Sequence, residues 1–243
     1  MPKSTIHRLL MTLEGRGFVR RDRITGQYHL GFRIIEMASL VLKDMDLQRW
    51  ALPHLERLAA ECGETVDLAM LDDAHVIYLQ VIESVQRVKI AAAVGQRLPA
   101  FCTATGKAFL AFLPEQQLAP ILASGLSKYT SNTRTAFVDL QEDLRLTRER
   151  GFAISEQEYE IDINAVAAPI LDARRYPVAA IAIVGPSYRM PRERMLLLGQ
   201  SILKAVEVMA RDVGLTALSS IVTRTRTNSH AGSSQQGGSQ TRL

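Results

Sequence analysis

Ile6, Leu9, Leu10 and Leu13 recur at the spacing of one helical face, which predicts an amphipathic helix from Lys3 to Leu13 with a single apolar stripe. Ser4, His7 and Arg8 fall on the other side, and Gly15-Arg16-Gly17 ends the helix. Two short β-prone runs follow, Phe18–Arg21 and Gln27–Leu30, around the turn-rich Asp22-Arg23-Ile24-Thr25-Gly26. That pattern is a hairpin. Helix, tight turn and basic hairpin in this order make the second half of a winged helix-turn-helix, whose helix enters the major groove while the hairpin lies along the backbone.

From Phe32 to Lys43 the residues Ile34, Ile35, Met37, Ala38, Leu40, Val41 and Leu42 leave no polar side on the helix they predict. Such a helix is covered either by a second subunit or by the rest of its own chain. Pro53 then suits the first turn of a helix carrying Leu55, Leu58, Ala59 and Cys62, which ends near Gly63. Three strands are expected at Thr65–Leu71, Val76–Glu83 and Val88–Ala93, with Asp72-Asp73 as the first turn. A helix from Thr105 to Phe112, a short one between Pro114 and Pro120, and a polar one from Leu140 to Arg150, stopped by Gly151, come next. Phe152–Glu156, Ala165–Leu171 and Val178–Val184 read as three more strands, and a long helix after Pro191 carries Met195, Leu198, Ile202, Ala205, Val206, Met209 and Val213. Strands flanked by helices with meander-length loops predict an α+β fold on an antiparallel sheet. From Ser219 onward Ser, Thr, Gln and Gly dominate, a composition that buries no core and is expected to be disordered.

The 243 residues are 47% hydrophobic and 22% charged, enough chain for a core without disulfide or metal staples. Cys62 and Cys102 form no CxxC and the histidines at 7, 29, 54, 75 and 230 have no paired ligand spacing, which argues against zinc. No apolar run approaches the roughly 18 residues of a membrane helix, and no signal core follows Met1. The expectation is therefore a cytoplasmic protein with no membrane partner and no cofactor. The net charge of +4 is unevenly placed. Lys3, Arg8, Arg16, Arg20, Arg21, Arg23 and Arg33 against Glu14 and Asp22 give +5 at the head, Arg224, Arg226 and Arg242 give +3 at the tail, and −4 is left between. A basic head on an acidic body meets a polyanion with its ends.

The chain resembles the IclR family of bacterial transcriptional regulators. The residues that carry the resemblance are Pro2-Lys3-Ser4-Thr5-Ile6-His7-Arg8-Leu9-Leu10 with Gly17-Phe18-Val19, and Tyr28-His29-Leu30-Gly31. In the body they are Leu98-Pro99, Thr103-Ala104-Thr105-Gly106-Lys107-Ala108, Ala167-Ala168-Pro169-Ile170 and Gly185-Pro186. The resemblance implies a winged helix-turn-helix, a linker helix and an effector-binding domain with a GAF/PAS-like sheet, assembled as homodimers or dimers of dimers on promoter DNA. Family members begin with two further helices, whereas Met1 here directly precedes the recognition helix. The expected organisation is thus a partial winged helix-turn-helix at 1–31, a linker and dimerisation helix at 32–46, an effector-binding domain at 47–216 and a disordered tail at 217–243. A stand-alone dimeric sensor that does not bind DNA as truncated is the alternative.

For DNA the candidate residues are Lys3, Ser4, Thr5, His7 and Arg8 at the helix start, where short hydroxyls donate to phosphate and Arg8 reaches a guanine edge. Arg20, Arg21 and Arg23 of the hairpin suit phosphate or a minor groove. For the effector, Thr103, Thr105, Gly106 and Lys107 open a helix suited to a carboxylate. The plainer reading is an N-cap threonine, a packing glycine and a surface lysine. Where the family often has a cysteine and two serines in the cavity, this chain has Ala165, Ala182 and Val184. That substitution points to a small organic acid with an aromatic or branched apolar body. Asp162 replaces a family glycine and either binds a ligand hydroxyl or amine or sits on the rim. Glu156, Glu158, Glu160 and Asp162 have period-two spacing and read as one solvated strand face. No nucleophile, metal set or phosphate loop accompanies them, so the chain is not expected to be an enzyme.

Overall fold

The stripe of Ile6, Leu9, Leu10 and Leu13 lies on a helix, α1 (Lys3–Gly15), in the computed structural model, which describes residues 2–37, 46–123 and 125–213. Gly17 ends this helix with a φ of 75°, and the Phe18 N–H reaches back to the Leu13 carbonyl at 2.9 Å, as helix C-caps of this kind do. The chain then forms the antiparallel hairpin β1 (Val19–Arg21) and β2 (Tyr28–Leu30), with Val19 opposite Leu30. Its turn is held by the Asp22 carboxylate, which accepts from the N–H groups of Ile24 and Thr25, both at 2.8 Å. These bonds hold the Asp22 carboxyl below the usual aspartate range. A Cβ on Gly31 would stand 2.0 Å from the Gly17 carbonyl oxygen, so only glycine lets the returning strand close on the helix end. Residues 33–37 start a helix. The rest of the expected linker helix, and the expected tail, lie outside the described residues.

The described chain divides into two compact units, Met1–Asp46 and Leu47–Leu243. The second opens with α2 (Asp46–Cys62), which buries Ala51, Leu55 and Leu58. Pro53 lies well inside this helix rather than in its first turn. The side chain is exposed, so the carbonyl four residues back, at exposed Arg49, faces water and loses little by lacking a donor.

Six antiparallel strands follow: β3 (Thr65–Asp72), β4 (His75–Ile82), β5 (Arg97–Pro99), β6 (Ala153–Glu156), β7 (Ile163–Leu171) and β8 (Pro177–Pro186). Their order across the sheet is β5-β4-β3-β8-β7-β6. Together with the helices α3 (Ala104–Leu110), α4 (Glu115–Ala123), α5 (Phe137–Arg150) and α6 (Arg192–Val213) they make an α+β fold. The strand expected at Val88–Ala93 is a loop, and the third strand is β5. The edge of β4 is already taken there, because the Gly95 N–H donates to the Tyr78 carbonyl at 2.7 Å and the Tyr78 N–H to Gln96 at 3.1 Å. Helix α4 also runs through Pro120 instead of stopping at it.

One sheet face is built of small residues. Ala182, Ala167 and Ala153 stand in one row with Asp67, and Val184, Ala165 and Ser155 stand in the next with Thr65. Helix α3 packs on this face against β6, β7 and β8. It can come so close because a Cβ on Gly106 would lie 2.1 Å from the Ala100 carbonyl oxygen. Helix α6 covers β7 and β8 and buries Met195, Ile202, Ala205 and Met209. Its Gly199 admits the Phe152 ring, which would stand 2.5 Å from a Cβ there.

The α3 face contains a buried ion cluster. Lys107 Nζ donates to Asp143 Oδ2 at 2.5 Å, to the Ile154 carbonyl at 2.6 Å and to Glu158 Oε1 at 2.6 Å. Arg134 adds a contact of 2.6 Å to Glu158 Oε1, and Arg150 stands 3.7 Å from Asp143 Oδ1. Burial opposes ionisation of Asp143, but the Lys107 ammonium and the two guanidinium groups outweigh it and hold the carboxyl below its ordinary range. The acidic run is therefore not one solvated face. Strand β6 ends at Glu156, and Gln157, with a φ of 56°, breaks the alternation and turns Glu158 inward.

Two stability experiments follow from this core. Lys107→Met leaves Asp143 and Glu158 without their shared ammonium, and chemical denaturation is expected to register a loss of about 3–5 kcal/mol. A loss below about 1 kcal/mol would mean that the carboxylates do not depend on Lys107. Asp67 is fully buried with no hydrogen-bond partner on either oxygen among the described residues, and burial pushes its carboxyl up to about 8. The folded chain holds this proton up to about pH 8, while the unfolded chain releases it near pH 4, so Asp67 lowers stability progressively as pH rises between them. Asp67→Asn should raise the melting temperature at pH 8, by more than at pH 5. A gain independent of pH would contradict the burial of an unpartnered carboxyl.

Candidate functional site

In the second unit, a cavity of about 80 Å³ opens on the small-residue face of the sheet, beside the start of α3. Its walls are Ile90, Leu98, Ile163, Ala165 and Val184, with Tyr78 and Tyr159 as the aromatic members. Thr103, Ala104 and Thr105 line the cavity together with Ser155, whose Oγ donates to the Cys102 carbonyl at 3.4 Å. Thr103 is the N-cap of α3: its hydroxyl accepts from the Gly106 N–H at 3.2 Å and donates to the Pro99 carbonyl at 2.9 Å. The earlier N–H groups of a helix have no partner within it, and those of Ala104 and Thr105 belong to residues of the cavity wall. Glu160 is the one carboxylate among the lining residues and is exposed at the rim.

Of the effector residues expected from sequence, Thr103, Thr105, Ala165 and Val184 meet at this cavity. Four do not. Lys107 is fully buried and its ammonium is satisfied by Asp143, Glu158 and Ile154, so it offers no charge to a ligand. Gly106 serves the close approach to Ala100. Ala182 lies one row deeper in the sheet, opposite Asp67. Asp162 is exposed in a turn with a φ of 64°, where its carbonyl accepts from Ser187 at 2.7 Å. A left-handed position of this kind is one that glycine adopts most readily. Tyr78, Ile90, Leu98, Ser155, Tyr159 and Ile163 line the cavity without having been named as effector residues. Their signal was weak, because a Tyr in a strand and an Ile in a loop look like ordinary core. Tyr159 extends the wall outward through a tilted ring contact with Tyr129, centroids 5.0 Å apart. Cys102, buried behind α3, has its thiol pushed up to about 12 by burial and the nearby Glu158, so it is not a ready nucleophile.

In the first unit, Lys3, Ser4, His7 and Arg8 are exposed on α1 and Thr5 is half-buried. Arg23 projects from the hairpin tip, while Arg20 stacks over Phe32 at 5.7 Å and Arg21 over Tyr28 at 5.8 Å. Arg21 also donates from Nε to the Gly26 carbonyl at 3.2 Å, which braces the hairpin. A shallow groove between helix end and hairpin is lined by Arg16, Arg20, Arg21, Arg23 and Arg33. Arg16 and Arg33 join the basic face only through the fold. The stripe of α1 stays open among the described residues, with Ile6 43% and Leu9 50% exposed. No helix of the described residues is long and apolar enough to cross a membrane.

Known proteins match both units. The model of the bacterial transcriptional regulator IclR C-terminal domain matches residues 39–214, and that of the IclR helix-turn-helix domain matches residues 1–23. The transcriptional repressor IclR of Escherichia coli is 36% identical over 210 residues, covering 85% of this chain and 77% of its own length. The repressor AllR of the same species is 31% identical over 218 residues, with coverage of 89% and 80%. The crystal structure of Thermotoga maritima IclR superimposes with a TM-score of 0.72 at 32% identity, covering 88% of this chain and 87% of that one. An IclR homolog from Microbacterium hydrocarbonoxydans, crystallised in complex with 4-hydroxybenzoate, gives a TM-score of 0.73 at 26% identity, with 87% of each chain covered. With its helix-turn-helix part at the head and the matching C-terminal domain behind it, the chain belongs to the IclR family of bacterial transcriptional regulators.

Proposed function

We propose that this chain is a regulator of promoter DNA whose response is set by a small organic acid, with an aromatic or branched apolar body, held in the cavity beside α3. The observation that carries this reading is the cavity's division into two kinds of wall. Ile90, Leu98, Ala165 and Val184 offer apolar surface, while Thr103, Thr105 and Ser155 bring polar groups from the start of α3 and from β6, with Gln96 and Glu160 as further polar members. A carboxylate at the start of α3 is met by its early N–H groups and by the Thr105 hydroxyl, and Glu160 repels it little because it lies at the solvated rim. A larger apolar body suits a wall that has Ala165 and Val184 where a hydroxyl or thiol would need a partner. The structural relative that holds 4-hydroxybenzoate supports the aromatic class.

On the DNA side, Ser4, Thr5, His7 and Arg8 of α1 face the groove, and Lys3, Arg20 and Arg23 meet phosphates. Arg21 contributes charge from a braced position. Assembly as a homodimer or dimer of dimers rests on the linker segment, whose central residues 38–45 lie outside the described ones. Sedimentation velocity at low micromolar concentration reads it out, and a monomer there contradicts it.

Arg8→Ala should weaken operator binding by about 1–3 kcal/mol with little effect on random DNA. Arg23→Ala should weaken both alike and lower the salt slope by about one. Equal losses on both DNAs for Arg8→Ala would make Arg8 a phosphate contact. For the ligand, aromatic and branched acids should raise the melting temperature by mass action, and their carboxamides should lose most of that shift. Val184→Ser should move preference toward hydroxylated acids, since a new buried hydroxyl needs a partner. A larger shift from glyoxylate or pyruvate than from any aromatic acid in the unmutated chain would contradict the reading of the wall.

A further inference from the structure

Asp67 stands in the middle of β3, between Val81 of β4 and Ala182 of β8. It is wholly buried, and neither of its carboxyl oxygens has a hydrogen-bond partner among the described residues. An apolar side chain would fill this place without that cost, so the carboxyl calls for a role. Strand alternation puts Asp67 on the same sheet face as Thr65 and Ala69. Thr65 is opposite Val184, and Ala69 is opposite Tyr78. Val184 and Tyr78 both line the effector cavity. Asp67 therefore stands in the row between those two lining positions, on the sheet face that bears the cavity, with its own side chain covered.

The neighbouring row is alanine, at Ala182 and Ala167, and α3 presents the small Ala104 and Ala108 to the same core. Small side chains leave the carboxyl less screened from the cavity than leucines or isoleucines would. Tyr78 is electrostatically coupled to it, because burial and then the Asp67 charge push the phenol upward. The register sets Tyr78, a residue of the cavity, one row along from Asp67.

We propose that Asp67 is a specificity-determining residue of the effector site, whose carboxyl meets a hydrogen-bond-donating hydroxyl or amine on the part of the ligand away from its carboxylate. This assignment rests on the effector reading above. A buried carboxyl retains its proton near neutral pH, so it can both accept from a ligand hydroxyl and donate to it. A site that buries such a group favours ligands that satisfy it and discriminates against analogues that lack the donor. The effector class thereby narrows from an aromatic or branched acid to one that carries a polar substituent as well.

Calorimetric titration with benzoate, 3-hydroxybenzoate, 4-hydroxybenzoate and 4-aminobenzoate tests this on the full chain. In the unmutated protein, at least one substituted acid should bind about tenfold or more tightly than benzoate. Asp67→Ala should abolish that preference while leaving benzoate affinity within about twofold. Removing an unpartnered buried carboxyl should not unfold the chain, and Asp67→Asn, which keeps an accepting oxygen, should retain part of the preference. Equal affinities in the unmutated protein, or a preference intact in Asp67→Ala, would overturn the role of Asp67 and leave the effector cavity standing. Failure of all four acids to bind would overturn the effector reading and this assignment with it.

Discussion

The Lys107 ammonium is the interaction on which the effector domain's geometry depends. It belongs to α3, yet its three acceptors come from α5, from the β6 backbone and from the loop after β6. One buried charge thus ties the helix that opens the cavity to the segment that supplies Ser155 and Tyr159 to its wall. The cost of burying ammonium and carboxylates is offset only while all partners are present. Gly106 makes the same docking possible from the other side, because any side chain there would collide with the Ala100 backbone. The residue pair Gly106-Lys107 is therefore a structural clamp, and Thr103, Ala104 and Thr105 before it are left to line the cavity.

That division explains which parts of the site were legible in the sequence. Thr103 and Thr105 could be found because a helix start is a local pattern, and Ala165 and Val184 because strand alternation fixes which residues share a face. Lys107 was misread because its partners lie 36 and 51 residues away, and nothing local to α3 announces them. Its neighbours look the same whether the lysine points to a ligand or to a carboxylate. Ala182 was misread for a different reason. Alternation put it correctly on the cavity face, but periodicity does not say how far along a strand a cavity extends.

The fold followed the same rule. Helices α1, α5 and α6 and the strands at 65–72, 75–82 and 163–171 have long, regular periodicity, and the sequence placed them within a few residues. Val88, Ile90 and Ala92 alternate as a strand does, yet their segment bounds a cavity instead of pairing, because Gly95 and Gln96 occupy the β4 edge. Asp67 carried a signal that periodicity alone passes over: a carboxylate inside Thr65-Val66-Asp67-Leu68-Ala69, in a strand that had to be buried on both faces. Its cost becomes visible only when the register leaves it without a partner.

Across both units the chain separates its chemistry in space, with arginines around a helix and hairpin in one and a largely apolar cavity in the other. The central claim is that an organic acid is held at the first turn of α3. Amide chemical-shift mapping by NMR, titrating benzoate into the isotopically labelled protein, tests it most directly. The account predicts that the largest perturbations fall on the N–H groups of Ala104 and Thr105, with smaller ones at Ala165 and Val184. Perturbations centred instead on the polar cleft where Arg134, Arg150 and Arg192 stand among Asp139, Glu142, Asp143 and Glu156 would contradict it.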